Sequence, residues 1–257
     1  MEGTLKSSKH VVSTKMTTRT TYRNLVAAII ASIYAVFVMA GFIPYSHGEV
    51  GSNNNVSNML YPLDSQPFGI GYIAAAEGFH KLLYMEPSNT NIATDTDGKY
   101  CSLDQSGPIW YLAGTAGGSV VRNCTVPAGK ALFFPLIANE CSYAENPNLK
   151  SVSQLIDCAK SADNNLNYLQ LSIDGVTIPN MEKYRITSTK LFNFTFVKDN
   201  IAGVSPGPTS GALDGWFAYL KPLPTGSHTI RFGGASTSVT PGQGNYAVDA
   251  TYHLTVS

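Results

Sequence analysis

The sequence predicts a mainly β fold, an antiparallel β-sandwich of jelly-roll or immunoglobulin-like type with two short helices, behind an N-terminal signal or transmembrane helix. Three observations carry that expectation. Apolar and polar residues alternate with period two over many short stretches. Gly- and Pro-rich turns separate those stretches, and only two stretches show helical spacing. An uncharged run near the N-terminus stands apart from everything after it.

That run spans residues 25–43, which are 19 residues without a charge. As a helix it would be about 28 Å long, close to the hydrocarbon thickness of a bilayer. The 257 residues balance 17 Lys+Arg against 17 Asp+Glu, yet residues 1–48 hold Lys6, Lys9, Lys15, Arg19 and Arg23 against the single acid Glu2. A basic flank of this kind stays in the cytoplasm and sends the following chain outside. Ser46 and Gly48 suit cleavage before Glu49, whereas the length of the run suits an uncleaved anchor that holds the protein to the membrane. Both readings export the remainder. The organisation expected is a basic n-region over 1–24, the apolar segment over 25–43, an Asn- and Ser-rich linker over 44–66, and one exported domain over 67–257.

The first helix is expected over 70–85, where Tyr72, Ile73, Ala76, Phe79, Leu82 and Leu83 recur at helical spacing and Pro87 follows. The second starts at Ser151 with Gln154 in the capping-box position, and turns Leu155, Ile156, Cys158 and Ala159 inward. Continuous apolar runs over 109–113 and 131–137 read as strands buried on both faces, with Pro135 marking a bulge or an edge. Leu169, Leu171 and Ile173 alternate with polar residues and lead into the hairpin turn Asp174-Gly175. Phe192, Phe194 and Phe196 form a further inward face. Trp216, Ala218 and Leu220 oppose Phe217, Tyr219 and Lys221. His228, Ile230 and Phe232 share one face, and the last strand alternates from Tyr246 to Val256. The Gly/Pro-rich stretches 202–215 and 233–245 are expected to be long loops.

Cys101, Cys124, Cys141 and Cys158 all fall in the exported part. An even number outside the cell reads as two disulfides, and no C-x-x-C pair points to zinc. Three pairings are possible. Compact local loops favour Cys101–Cys124 and Cys141–Cys158. Asn55, Asn123 and Asn193 begin N-glycosylation sequons.

The blocks Gly107-Pro108-Ile109-Trp110-Tyr111-Leu112-Ala113-Gly114-Thr115 and Cys124-Thr125-Val126-Pro127-Ala128-Gly129-Lys130-Ala131-Leu132-Phe133-Phe134-Pro135 resemble a family of exported bacterial and archaeal proteins of unassigned function. Pro224-x-Gly226-x-His228-Thr229-Ile230-Arg231-Phe232-Gly233 is similar to the same family. The resemblance covers about residues 70–257 and implies export, with no catalytic residue to carry over.

The chemistry expected is modest. No serine is singled out as a nucleophile, and oxidised cysteines are not nucleophiles. Among the exported histidines, His80 lies on the first helix, His228 reads as a core residue bonded to the backbone, and His253 as a surface one. Glu77-x-x-His80 is a single copy of a spacing that carboxylate-bridged metal sites use twice. Asp95 and Asp97 open a calcium-loop pattern that lacks its twelfth-position acid, where Ser106 stands. They are the weak calcium candidates, and no other cofactor is implied. Trp110 reads as core. Trp216, Phe217 and Tyr219 are the candidate platform for sugar rings, with one of the two faces of that strand exposed. Residues 49–257 carry 12 basic and 16 acidic groups, a balance that excludes charge-driven nucleic-acid binding and suits glycans or cell-envelope components. The functional expectation is a non-enzymatic binding or envelope module. A polymer hydrolase with scattered acids is the alternative, and a filament or layer subunit the second alternative.

Overall fold

The computed structural model describes residues 58–161, 165–237 and 246–257. The expected leader over 25–43, the sequon at Asn55 and most of the 44–66 linker lie outside the described residues. Among the described residues no helix is long and apolar enough to cross a membrane.

The strands in chain order are β1 (Ile109–Tyr111), β2 (Gly118–Val126), β3 (Ala131–Ser142), β4 (Leu166–Ile173), β5 (Val176–Thr177), β6 (Arg185–Thr187), β7 (Phe192–Phe196), β8 (Gly207–Leu220), β9 (Gly226–Ser236) and β10 (Tyr246–Val256). The helices are α1 (Tyr72–Tyr84) and α2 (Val152–Ser161). One five-stranded sheet runs β1-β3-β8-β6, with β7 also on β8, and the other runs β2-β10-β9-β4-β5. Neither sheet is purely antiparallel, contrary to expectation. β1 pairs parallel with β3, and β2 pairs parallel with β10 over nine register positions. Period-two alternation reports which face of a strand is buried and is silent on its direction. β1 and β3 run parallel because the chain crosses to the second sheet between them to lay down β2.

The sheets share a core. Leu132, Phe134, Trp216, Ala218 and Leu220 of the first meet Leu171, Ile230, Phe232, Ala250 and Tyr252 of the second. Phe134 and Phe232 have ring centroids 4.4 Å apart. The other face of the first sheet is covered by α1, whose Tyr72, Ala76, Phe79 and Leu83 pack on Phe133, Phe217, Tyr219 and the three phenylalanines of β7. With both faces covered, most of β3 and the end of β8 from Trp216 to Leu220 read as apolar runs. The sugar-platform expectation is overturned here. Trp216 is 4% exposed, and Phe217 and Tyr219 are 0% exposed, so neither face of the second half of β8 reaches solvent. Trp110 is buried as expected.

Pro135 sits in a central strand beside a register shift between Pro135 and Ile137, which is the bulge it requires. Residues 202–215 are not one long loop. β8 begins at Gly207, and its first half pairs with β7. Pro208 stands at the second position of that strand, where a missing N–H is tolerated. Of the loop expected over 233–245, Gly233 to Ser236 continue β9, and 238–245 lie outside the described residues. A Cβ at Gly233 would collide with the Val248 carbonyl of the adjacent strand, so glycine here permits close backbone approach rather than a turn. The end of the segment read as linker belongs to the fold. Leu60 is buried, and Tyr61 N–H donates to the Tyr219 carbonyl at 2.8 Å.

α2 is capped as its sequence requires. Gln154 N–H donates to Ser151 Oγ at 3.3 Å, and Ser151 N–H donates back to Gln154 Oε1 at 3.0 Å. The disulfides join Cys101 to Cys124 and Cys141 to Cys158, with sequence separations of 23 and 17 residues. The first ties the 93–104 turns to β2, and the second ties α2 to the end of β3. Each stabilises the fold by about 3 kcal/mol in the chain-entropy account.

Candidate functional site

Two regions bring chemistry-bearing side chains together. The first is the outer face of the second sheet. Register places His253 between Asn123 and Thr229, and Thr255 between Thr125 and Ser227. These polar rows border an open groove of about 480 Å³ that Asp174 and His228 also line. Further along the face, Tyr168, Gln170 and Ser172 of β4 lie on the same side as Arg231 of β9 and Asp249 of β10. Arg231 grips Asp249 bidentately, with Nε to Oδ1 at 2.9 Å and Nη2 to Oδ2 at 2.7 Å, and this hydrogen bonding holds the Asp249 carboxyl below its usual range. Gln170 Nε2 adds a hydrogen bond to Asp249 Oδ1 at 3.3 Å. Tyr168 is 46% exposed beside this fixed polar cluster.

His228 does follow the parity of the apolar face, but at the end of the sheet, where it meets Asp174 of the β4–β5 turn instead of the core. Nδ1 lies 2.8 Å from Asp174 Oδ2, and Nε2 lies 2.9 Å from the Pro224 carbonyl. Both partners are acceptors, so the imidazolium form satisfies both ring nitrogens. Desolvation opposes the charge, but the Asp174 and Pro224 hydrogen bonds outweigh it and raise the His228 pKa. With both nitrogens donating, no lone pair is left for general-base work. His253 is exposed, as expected.

The second region is a cavity of about 290 Å³ between α1, β3 and β10. Glu140 reaches it from the end of β3, Glu145 from the following loop, and His80 and Tyr84 from α1. Glu140 Oε1 and Oε2 are buried without a well-formed hydrogen bond. Burial pushes the Glu140 carboxyl up to about 10, and the neighbouring Glu145 carboxyl reinforces the shift, while Tyr84 opposes it. Glu140 is therefore a neutral acid at pH 7. His80 is 4% exposed. Its Nδ1 lies 2.8 Å from the Ala76 carbonyl, which can only accept, so Nδ1 carries the proton and Nε2 presents a lone pair. Burial lowers the His80 pKa to about 4, which keeps the ring neutral. Glu77 stays on the half-exposed side of α1, so Glu77 and His80 do not form a metal pair.

The remaining sequence candidates take ordinary places. Asp95 is buried, and its carboxylate accepts backbone N–H groups of Asp97, Gly98 and Tyr100 at 3.3, 3.1 and 2.8 Å. Those bonds are turn chemistry. Asp97 caps Lys99 N–H at 3.2 Å. Among the described residues no group of three or more His, Cys, Asp or Glu side chains is placed to hold a metal. Asn123 and Asn193 are both exposed, and Asn193 Oδ1 accepts from Ser210 Oγ at 2.7 Å.

Sequence reasoning missed Tyr168, Glu140 and Glu145. Glu140 did carry a signal, as the lone acid within the apolar run of β3. Tyr168 did not, because the register shift between Leu166 and Tyr168 obscures the face it occupies.

No family model and no curated protein matches the chain. Among solved structures it is similar to the solution structure of Amebosin at 10% identity, with 58% of this chain and 99% of that chain covered and a TM-score of 0.18. A likeness that slight carries no argument about fold or function.

Proposed function

We propose that this chain is an exported, disulfide-stabilised cell-surface protein that binds glycan on the outer face of its second sheet. The two disulfides fit an oxidising, extracellular setting. The basic flank and apolar segment of the N-terminus support export, with the leader either removed or kept as an anchor. Kinship with the exported microbial family belongs to the same reading and rests on the sequence blocks at 107–115, 124–135 and 224–233.

The observation that carries the binding reading is Tyr168, an exposed ring beside the fixed Arg231–Asp249–Gln170 cluster. A sugar ring stacks on an aromatic face, and its hydroxyls need both donors and acceptors held at fixed positions. The cluster offers both at little cost in ordering. Glycan-array screening of the full chain is expected to give binding that Tyr168→Ala abolishes while leaving the thermal midpoint unchanged. An array without hits, or a Tyr168→Ala variant that binds like wild type, overturns the reading. Polymer hydrolysis is less well supported. Glu140 and Glu145 are in direct contact, whereas glycosidic cleavage places its two carboxyl groups at least about 5 Å apart.

A further inference from the structure

We propose that the cavity between α1, β3 and β10 is a second binding site, which takes a small organic cation, a primary ammonium on an apolar stem, at the Glu140–Glu145 carboxyl pair.

The argument begins with unmet hydrogen-bonding capacity. A buried polar atom without a partner is costly, and native structures rarely tolerate two on one side chain. Neither Glu140 Oε1 nor Oε2 makes a well-formed hydrogen bond, although the Glu145 carboxyl and the Tyr84 hydroxyl stand beside them. His80 adds an independent acceptor. It is 4% exposed, its Nδ1–H is committed to the Ala76 carbonyl, and its Nε2 has no hydrogen-bond partner among the described residues. Glu145 supplies a further carboxyl, held by the Ser142 hydroxyl, which donates to Oε2 at 2.6 Å. Tyr246 offers little in return, since its hydroxyl donates to the Thr115 carbonyl at 2.8 Å.

The site is thus rich in acceptors, and among the described residues no Lys or Arg lines it. A ligand that completes it must bring several N–H donors and positive charge, which repels anions and selects an ammonium group. The donor set does not suit a bare metal ion. Most of the rest of the wall is apolar, including Phe79, Leu83, Ile201 and Val248 beside Thr115 and Asn139, and would cover a short aliphatic or aromatic stem. The volume, about 290 Å³, sits at the lower end of ligand pockets, which begin near ~300 Å³.

A proton held on Glu140 keeps the charge of the carboxyl pair low. The groups facing that carboxyl are Glu145 from the loop after β3, Tyr84 and His80 from α1, and Tyr246 from β10. Binding of an ammonium exchanges that proton for the ligand's charge. One proton leaves to solvent, and the carboxylate pairs with the cation.

The test is calorimetric titration of the full chain with n-butylammonium and phenethylammonium, with the neutral alcohol 2-phenylethanol as a control, in buffers of different ionisation enthalpy. The amines are expected to saturate one site and release one proton near neutral pH. Their affinity should rise roughly tenfold per pH unit between about pH 7 and 9, because deprotonation of Glu140 is coupled to binding. Glu140→Gln and Glu145→Gln should each weaken binding at least roughly tenfold. The alcohol should not bind. Failure of both amines to bind, equal binding of the alcohol, or unchanged affinity in the Gln variants overturns the proposal. If one variant fails to fold, the other variant and the pH slope of the wild-type protein still decide it.

Discussion

The Arg122 guanidinium donates to the Tyr252 hydroxyl at 2.7 Å, and that hydroxyl donates onward to the Ala113 carbonyl at 2.8 Å. Arg122 is 1% exposed, yet among the described residues no carboxylate forms an ion pair with it. The carbonyls of Ala93, Asp95, Ala113 and Gly114 take its N–H groups instead. One buried cation therefore fastens the turns before β1 and after it to β2 and β10. Arg122→Met keeps much of the volume and strands those carbonyls. Loss of at least ~3 kcal/mol is expected, read as a lower urea midpoint. An unchanged midpoint would show that water replaces the guanidinium without penalty.

The Cys141–Cys158 bridge holds α2 against the end of β3, where Leu155 and Ala159 complete a small cluster with Ala212. The double variant Cys141→Ser, Cys158→Ser should lose about 3 kcal/mol, with amide exchange rising first in α2. Exchange rising equally across both sheets would contradict a local role.

The Asp174–His228 pair sets a pH window for stability. His228 is raised above its usual value, so its contribution is complete below the unfolded pKa and is lost as pH rises through the folded one. Desolvation pushes Asp174 upward, but the His228 and Thr229 hydrogen bonds outweigh it and lower its pKa, so its contribution is lost as pH falls through that lower value. The thermal midpoint should decline on the alkaline side of the histidine titration. His228→Gln should flatten that decline, and an unaltered profile in the variant would rule the pair out as its source.

Glu140 acts in the opposite sense to a salt-bridged acid. Its folded pKa is raised from 4.5 to about 10, so the folded state holds a proton the unfolded state has released. Stability should fall as pH rises between those values, by at most ~1.4 kcal/mol per unit. Glu140→Gln removes the titration, and its stability advantage over wild type should grow from about pH 5 to about pH 9 in denaturant titrations. A pH-independent difference would mean that Glu140 is ionised in the folded protein.

The sheets were legible where alternation alone decides the matter. The inward faces of β7 and β10 and the hairpin at Asp174-Gly175 follow directly from residue order, as does the capping box at Ser151 and Gln154. Both disulfide partners followed from loop compactness. Burial by a third layer was not legible. Phe217 and Tyr219 look like a surface stripe until α1 is laid over them, and nothing in residues 214–220 names that helix. Glycine was ambiguous for a physical reason. At Gly175, with φ +78°, it serves a turn, while at Gly233 it lets two backbones approach, and composition cannot separate the two. The cavity was hidden because its members come from α1, β3 and the following loop, and only tertiary packing buries Glu140 against a second carboxyl.

The parallel pairing of β2 with β10 bears on when the molecule can finish folding. β10 lies between β2 and β9, so the second sheet stays divided until the ribosome has delivered residues 246–256. Before then β2 and β9 each present an open edge, and the apolar undersides of both wait for a partner more than a hundred positions downstream of β2. The Cys101–Cys124 bridge needs none of that later chain. It can hold β2 to its neighbouring turns early, so that this edge of the unfinished sheet is already anchored when the strand that joins it to β9 arrives.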